Sequence, residues 1–136
     1  MVDFAKENGN VRTIMKPLIF IAIGAALGAI SRWTLDGLHD DAVDFPIGIL
    51  TVNILGCFLF GLLFGIGERE QVFSPEVRLG IFTGFLGSFT TFSTFAWNSF
   101  EFMKNGQIGM MVLNVSVSVV LGILAVWGGF SLTKLY

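Results

Sequence analysis

Charged and apolar positions are sorted along this chain into long, separate blocks. No Asp, Glu, Lys, Arg or His occurs from Ile47 to Gly67, from Leu79 to Phe100, or from Ile108 to Leu132. Each block is long enough to cross a hydrocarbon core of about 30 Å, which takes about 20 apolar residues. A further block, from Pro17 to about Leu38, is apolar through Ile30 and then admits Arg32 and Asp36. The pattern predicts an all-α membrane protein of four transmembrane helices, over about residues 17–38, 47–67, 78–103 and 108–133. Residues 1–13 are polar and are expected to be frayed. A secretory signal peptide competes for the first block, because Arg12 and Lys16 give it a basic start. Three further spans follow it, however, and Arg32 stands where a cleavage site would be expected, so the block reads as a retained span.

Composition agrees and narrows the function classes. Of 136 residues, 54% are hydrophobic and 13% charged, against about 25% charged in soluble domains; the mean hydropathy is +0.78. The connections are short, which leaves one transmembrane domain and no room for a soluble one. A net charge of −2 argues against a nucleic-acid partner. The single cysteine, Cys57, falls mid-membrane in the second span, so no intrachain disulfide can form; it reads as a small packing side chain. His39, the only histidine, sits beside Asp40 and Asp41 in the first loop and is a weak metal signal. No nucleophile–base pair, metal cluster or phosphate-binding loop appears, which argues against an enzyme.

Small residues recur at helical spacing in the spans: Gly24 and Gly28, Gly61 and Gly65, Gly80 and Gly84. In lipid such faces let helix backbones approach closely. Four helices of this length cannot enclose a wide pore alone, so a pathway would be narrow or completed by a second copy. Polar residues at membrane depth are costly and therefore informative. Arg32 either snorkels to the headgroups or faces an aqueous vestibule and attracts anions. Asn53 lies about two turns into the second span, where its amide needs a partner across a helix interface or on a ligand. Asn114, Ser118 and Gly122 share one face of the fourth span. The third span places Gly87, Ser88, Thr90, Thr91, Ser93 and Thr94 among phenylalanines. Ser, Thr and Gly favour caps and turns over helix interiors, so this helix is expected to break near Gly87–Thr91. Irregular backbone at that depth is tolerated only when buried in protein or lining a watery cavity. The carbonyl end of such a break suits a cation, and the N-terminus of the second half suits an anion. Phe92 and Phe95 share a face of that second half; they read as packing, or as ring edges of partial positive charge toward an anion.

Three ordered motifs carry a family resemblance: Gly24-xxx-Gly28-xxx-Arg32, Gly48-xxx-Val52-Asn53-xx-Gly56, and Gly84-xx-Gly87-xx-Thr90-Thr-Phe92-Ser-Thr-Phe95, followed by the Asn-xxx-Ser-xxx-Gly face of the fourth span. With them the chain resembles the Fluc/CrcB family of bacterial fluoride channels over nearly its whole length. The resemblance implies a dual-topology, antiparallel homodimer in the lipid bilayer of the bacterial inner membrane. It implies export of cytoplasmic fluoride, passively and selectively over chloride, through two narrow pores. It implies that Asn53 hydrogen-bonds the ion, that Phe92 and Phe95 offer ring edges, and that Ser93, Thr94 and Ser118 add hydroxyls along the track. Arg32 would enrich anions in the vestibule. The backbone carbonyls of Gly87 and Thr90 from both subunits would cage a structural Na⁺ on the dimer axis.

Two features depart from that pattern. The family often has Glu three residues after the last Phe of the motif; here Asn98 stands there, with Glu101 one turn later. With both termini on one side, that side holds Lys6, Arg12, Lys16, Arg69, Arg78 and Lys134, and the other Lys104 and Arg32. Six against two favours a single orientation, so either the N-terminal charges count for little or a homologous partner chain inserts the opposite way. The rival from another class is a small multidrug-type four-helix exporter. Proton-coupled export needs an intramembrane carboxylate, and only Asp36 comes close. A purely structural subunit would leave the polar string of the third span unexplained.

Overall fold

A computed structural model describes residues 4–37 and 45–135, with side chains from Ile14 onward. His39, Asp40 and Asp41 lie outside the described residues, as does Leu38 at the expected end of the first span. In chain order the elements are α1 (Phe4–Asp36), α2 (Ile47–Glu70), α3 (Pro75–Arg78), a π-helical segment (Leu79–Leu86), α4 (Gly87–Phe89), α5 (Phe92–Lys104) and α6 (Ile108–Leu132). They make four apolar spans: Ile14–Asp36, Ile47–Glu70, Pro75–Lys104 and Ile108–Leu132. The polar stretch expected to be frayed is instead helical from Phe4 and runs unbroken into the first span. Polarity keeps residues out of hydrocarbon without opposing a helix, and Ala5, Lys6 and Glu7 are good helix formers.

The third span is a composite. Ser74 caps its start, its side chain accepting from the Val77 amide at 3.3 Å, with Pro75 in the first turn. The π-helical segment then carries the chain to α4, which ends at Phe89. Thr90 (φ −78°, ψ 157°) and Thr91 (φ −146°, ψ 113°) are extended, and α5 restarts at Phe92. The expected break is therefore present, confined to two threonines. The π-helical turns before it are a feature that hydrophobic spacing did not announce; π-helix is rare and often marks functional sites.

Glycines bring the spans into two tight pairs. A Cβ at Gly24 would fall on the Gly80 carbonyl, one at Gly28 on the Phe85 carbonyl, and one at Gly84 would come 2.6 Å from the Ile21 carbonyl oxygen. So α1 lies directly against the first half of the third span. Likewise α2 meets α6: a Cβ at Gly61 would fall on the Val126 carbonyl, and one at Gly129 on the Phe58 carbonyl. Val52 on α2 and Leu86 and Phe89 in the third span are among the most deeply buried apolar side chains. Helices of a multi-pass membrane protein associate by close packing, which does not require a large buried core. A short turn through Gly106, at φ +74°, folds α6 back beside α5.

The glycine contacts make a sharp prediction at adjacent positions. Gly129→Ala should lower stability by roughly 2–3 kcal/mol, because a methyl pressed against backbone cannot be relieved by a rotamer change. Gly128→Ala, where a Cβ meets nothing within 4 Å, should stay within about 0.5 kcal/mol. Thermal unfolding in detergent, followed by tryptophan fluorescence, compares the two; equal melting temperatures would refute the close contact.

Candidate functional site

The break between α4 and α5 strips several backbone groups of their helical partners, and neighbouring side chains take them over. Asn53 on α2 holds both polar groups of Thr91: its Oδ1 accepts from the Thr91 amide at 2.8 Å, and its Nδ2 donates to the Thr91 carbonyl at 3.1 Å. The Thr91 hydroxyl caps α5 by accepting from the Thr94 amide at 3.3 Å. It also lies 3.3 Å from the Ser93 hydroxyl and 3.0 Å from that of Thr94. The Thr90 amide and hydroxyl both donate to the Leu86 carbonyl, at 3.1 and 3.0 Å. Arg32 reaches across from α1, and its Nη1 donates to the Thr90 carbonyl at 3.4 Å.

These transfers free two carbonyls from the helical ladder. The Thr91 amide would close on the Gly87 carbonyl in an uninterrupted helix, but it goes to Asn53. The Thr94 amide would close on the Thr90 carbonyl, but it goes to the Thr91 hydroxyl. Just beyond, α5 presents its N-terminus, equivalent to roughly half a positive charge. The site therefore has an acceptor side made of carbonyls and a donor side made of a helix start.

A groove of about 430 Å³ opens beside the break. Asn53, Gly87, Thr90, Phe92, Phe95 and Ser118, all singled out in the sequence, line it together. Among the described residues, none that lines it is charged. The Phe92 and Phe95 ring centroids are 5.7 Å apart, and Phe92 is 79% exposed in the single chain. Asn53 has two amide N–H groups; one is spent on Thr91, and its side chain borders the groove. Ser93 and Thr94 are not among the lining residues; their hydroxyls sit on the Thr91 hub. Arg32 does not line the groove either and instead braces the break.

Sequence reasoning passed over Thr91, Phe60 and Phe82, all of which line the groove. Thr91 was visible as part of the threonine string. The two phenylalanines carried no signal, because a phenylalanine in a membrane helix ordinarily reads as packing. Here their rings meet edge to face at 5.1 Å, and Phe64 continues the line at 6.1 Å from Phe82. The Arg78 guanidinium lies 5.9 Å from the Phe64 ring centroid, at cation–π distance.

Residues 19–130 match the model of a family described as CrcB-like protein, Camphor Resistance (CrcB). The chain belongs to the CrcB family. Similar proteins named fluoride-specific ion channel FluC occur in several microorganisms. That of Maridesulfovibrio salexigens is 41% identical over 123 residues, covering 89% of this chain and 98% of that protein. That of Methylobacillus flagellatus is 36% identical over 124 residues, covering 89% and 97%. That of Acidobacterium capsulatum is 42% identical over 113 residues, covering 82% and 90%.

In this CrcB chain the Thr91 hydroxyl is the hub of the break, and its removal is a clean test. Thr91→Val keeps the branched shape, deletes the cap, and should cost about 1 kcal/mol of stability. Ser93→Ala, at an exposed position, should cost less than about 0.5 kcal/mol. Thermal unfolding of the purified proteins compares them, and a Thr91→Val protein as stable as the wild type would refute the hub.

Proposed function

We propose that the chain is a fluoride-specific ion channel that passively exports cytoplasmic fluoride across the bacterial inner membrane. The observation that carries this is the groove at the broken third span. In it a helix N-terminus, the Asn53 amide, the Ser118 hydroxyl and two phenylalanine rings converge with no anionic group among them. Fluoride is small and tightly hydrated, so a pathway must replace its water with strong donors. An N–H of Asn53, the N-terminus of α5 and the Ser118 hydroxyl are such donors, and aromatic ring edges carry partial positive charge. Larger halides are turned away by a narrow passage. The lack of a carboxylate in the groove lining disfavours a proton-coupled exporter.

The single chain does not enclose the groove, and Phe92 stands largely uncovered. Both features support a second copy as the missing wall. We read the assembly as an antiparallel homodimer with two such pathways, each built from parts of both chains. The Gly87 and Thr90 carbonyls fit a structural Na⁺: they are hard oxygen donors freed from the helix at its C-terminal end, the kind of group that holds sodium in broken membrane helices. One chain offers two of them, and a partner related by a two-fold axis in the membrane plane would offer two more. A sodium ion bound there supplies fixed positive charge beside the anion track. Arg32 meanwhile keeps a guanidinium on the Thr90 carbonyl; it adds positive potential at the break and holds that carbonyl in place.

Two experiments test the reading. Purified protein in liposomes should dissipate a fluoride gradient without any proton or sodium gradient, and should pass chloride far more slowly. Asn53→Ala should cut the fluoride rate at least about tenfold, since it removes an ion donor and leaves the Thr91 amide and carbonyl unpaired at membrane depth. A flux that strictly requires a pH gradient would overturn the channel in favour of an exporter. For the assembly, membrane-impermeant labelling of tagged termini in intact cells should modify about half of the chains, as dual insertion requires. Labelling of all chains or none would overturn the antiparallel pair.

A further inference from the structure

The break cuts α5 loose from the first half of its span, so something other than continuous backbone must set where Phe92 and Phe95 stand. At its N-terminus Asn53 grips Thr91. A second grip lies one turn past Phe95 and involves residues outside the groove. Asn114 on α6 is 1% exposed, which makes it the most deeply buried polar side chain among the described residues. Its Nδ2 donates to the Ser99 hydroxyl at 3.0 Å, and that hydroxyl donates to the Phe95 carbonyl at 2.9 Å. A carboxamide buried at this depth is expensive unless paired. Here its pairing runs from α6 through Ser99 to the backbone of the residue whose ring lines the groove. Ser118, one turn further along the same face of α6, does line the groove. The polar stripe of α6 thus divides its labour: Ser118 faces the pathway, and Asn114 holds the half-helix that carries the rings.

We infer that Asn114 and Ser99 are positioning residues for conduction: their hydrogen-bonded chain seats α5 against α6 and sets the place of the Phe95 ring in the groove. The inference rests on the reading of the chain as a fluoride channel. An alternative role, as simple glue for the hairpin of α5 and α6, would show in stability alone. Positioning shows in rate and in selectivity.

The test uses the full chain in liposomes, with fluoride and chloride efflux read by ion-selective electrodes and thermal unfolding measured in parallel. The wild type is read first; no fluoride efflux from it refutes the channel itself, which separates that failure from the failure of the positioning role. Ser99→Ala removes only a hydroxyl and is expected to fold even if Asn114→Leu does not. Each should lower the fluoride rate about tenfold, the effect of losing about 1.4 kcal/mol, and should raise chloride efflux relative to fluoride. Ser99→Thr, which keeps a hydroxyl on the same turn, should restore most of the rate. The double variant should be no worse than the worse single one, because both act on one chain of bonds. Ser99→Ala with the rate and selectivity of the wild type would overturn the inference, whatever its melting temperature. So would a Ser99→Thr protein as impaired as Ser99→Ala.

Discussion

Nothing in a hydrocarbon interior can hydrogen-bond an exposed peptide group, and two peptide groups of this chain leave helical geometry well inside a span. That constraint organises the molecule. The Thr91 amide and carbonyl are met by one asparagine, the Thr94 amide in the first turn of α5 by the Thr91 hydroxyl, and the Thr90 carbonyl by an arginine from another helix. Each partner arrives from a different place in the sequence, which is why α1 and α2 must both pack on the third span at the same level. An unbroken helix would need none of these residues. The break is costly, and what it offers in return is a helix start and two released carbonyls well inside the span.

The glycine contacts explain how such partners can reach. Arg32 follows Gly24 and Gly28 along the face of α1 that lies against backbone, and the close approach leaves its side chain long enough to touch Thr90. Gly56, one turn from Asn53, has the Thr90 methyl and the Phe89 ring where its own side chain would be. Removing side chains at these points lowers the distance over which polar groups must bridge. Packing and polar pairing are thus one device in this protein: tight helix pairs on the outside, and a hydrogen-bonded break held between them.

Much of this was legible in the chain itself. Blocks free of charge mark the spans, and the density of Gly, Ser and Thr around Thr90 marks the break, because both are local properties of sequence. The clamp of Asn53 on Thr91 was not legible. It joins residues far apart in the chain and depends on how α2 is rotated, which single-helix periodicity does not specify. For the same reason the contact of Arg32 with the Thr90 carbonyl could not be read from the spacing of α1 alone. The contacts of the Ser93 and Thr94 hydroxyls with the Thr91 hydroxyl depend on the turn at Thr91, which their place in the string does not specify. Phe60 and Phe82 could not be told apart from the other phenylalanines until their place beside the groove was known. The helical conformation of residues 4–13 was hidden by polarity, which reports on location more than on conformation.

Cys57 is the only cysteine in the chain, and its side chain borders the groove opposite Gly122. It fills space there and makes no polar contact that the break depends on. Its solitude has a practical side. A thiol reagent small enough to reach it has one address on this protein, so any adduct on the native sequence sits beside the groove and nowhere else. Spectroscopy of that compartment requires no engineered residue, and heavy-atom phasing of a crystal starts from one marker per copy, already placed beside the third span.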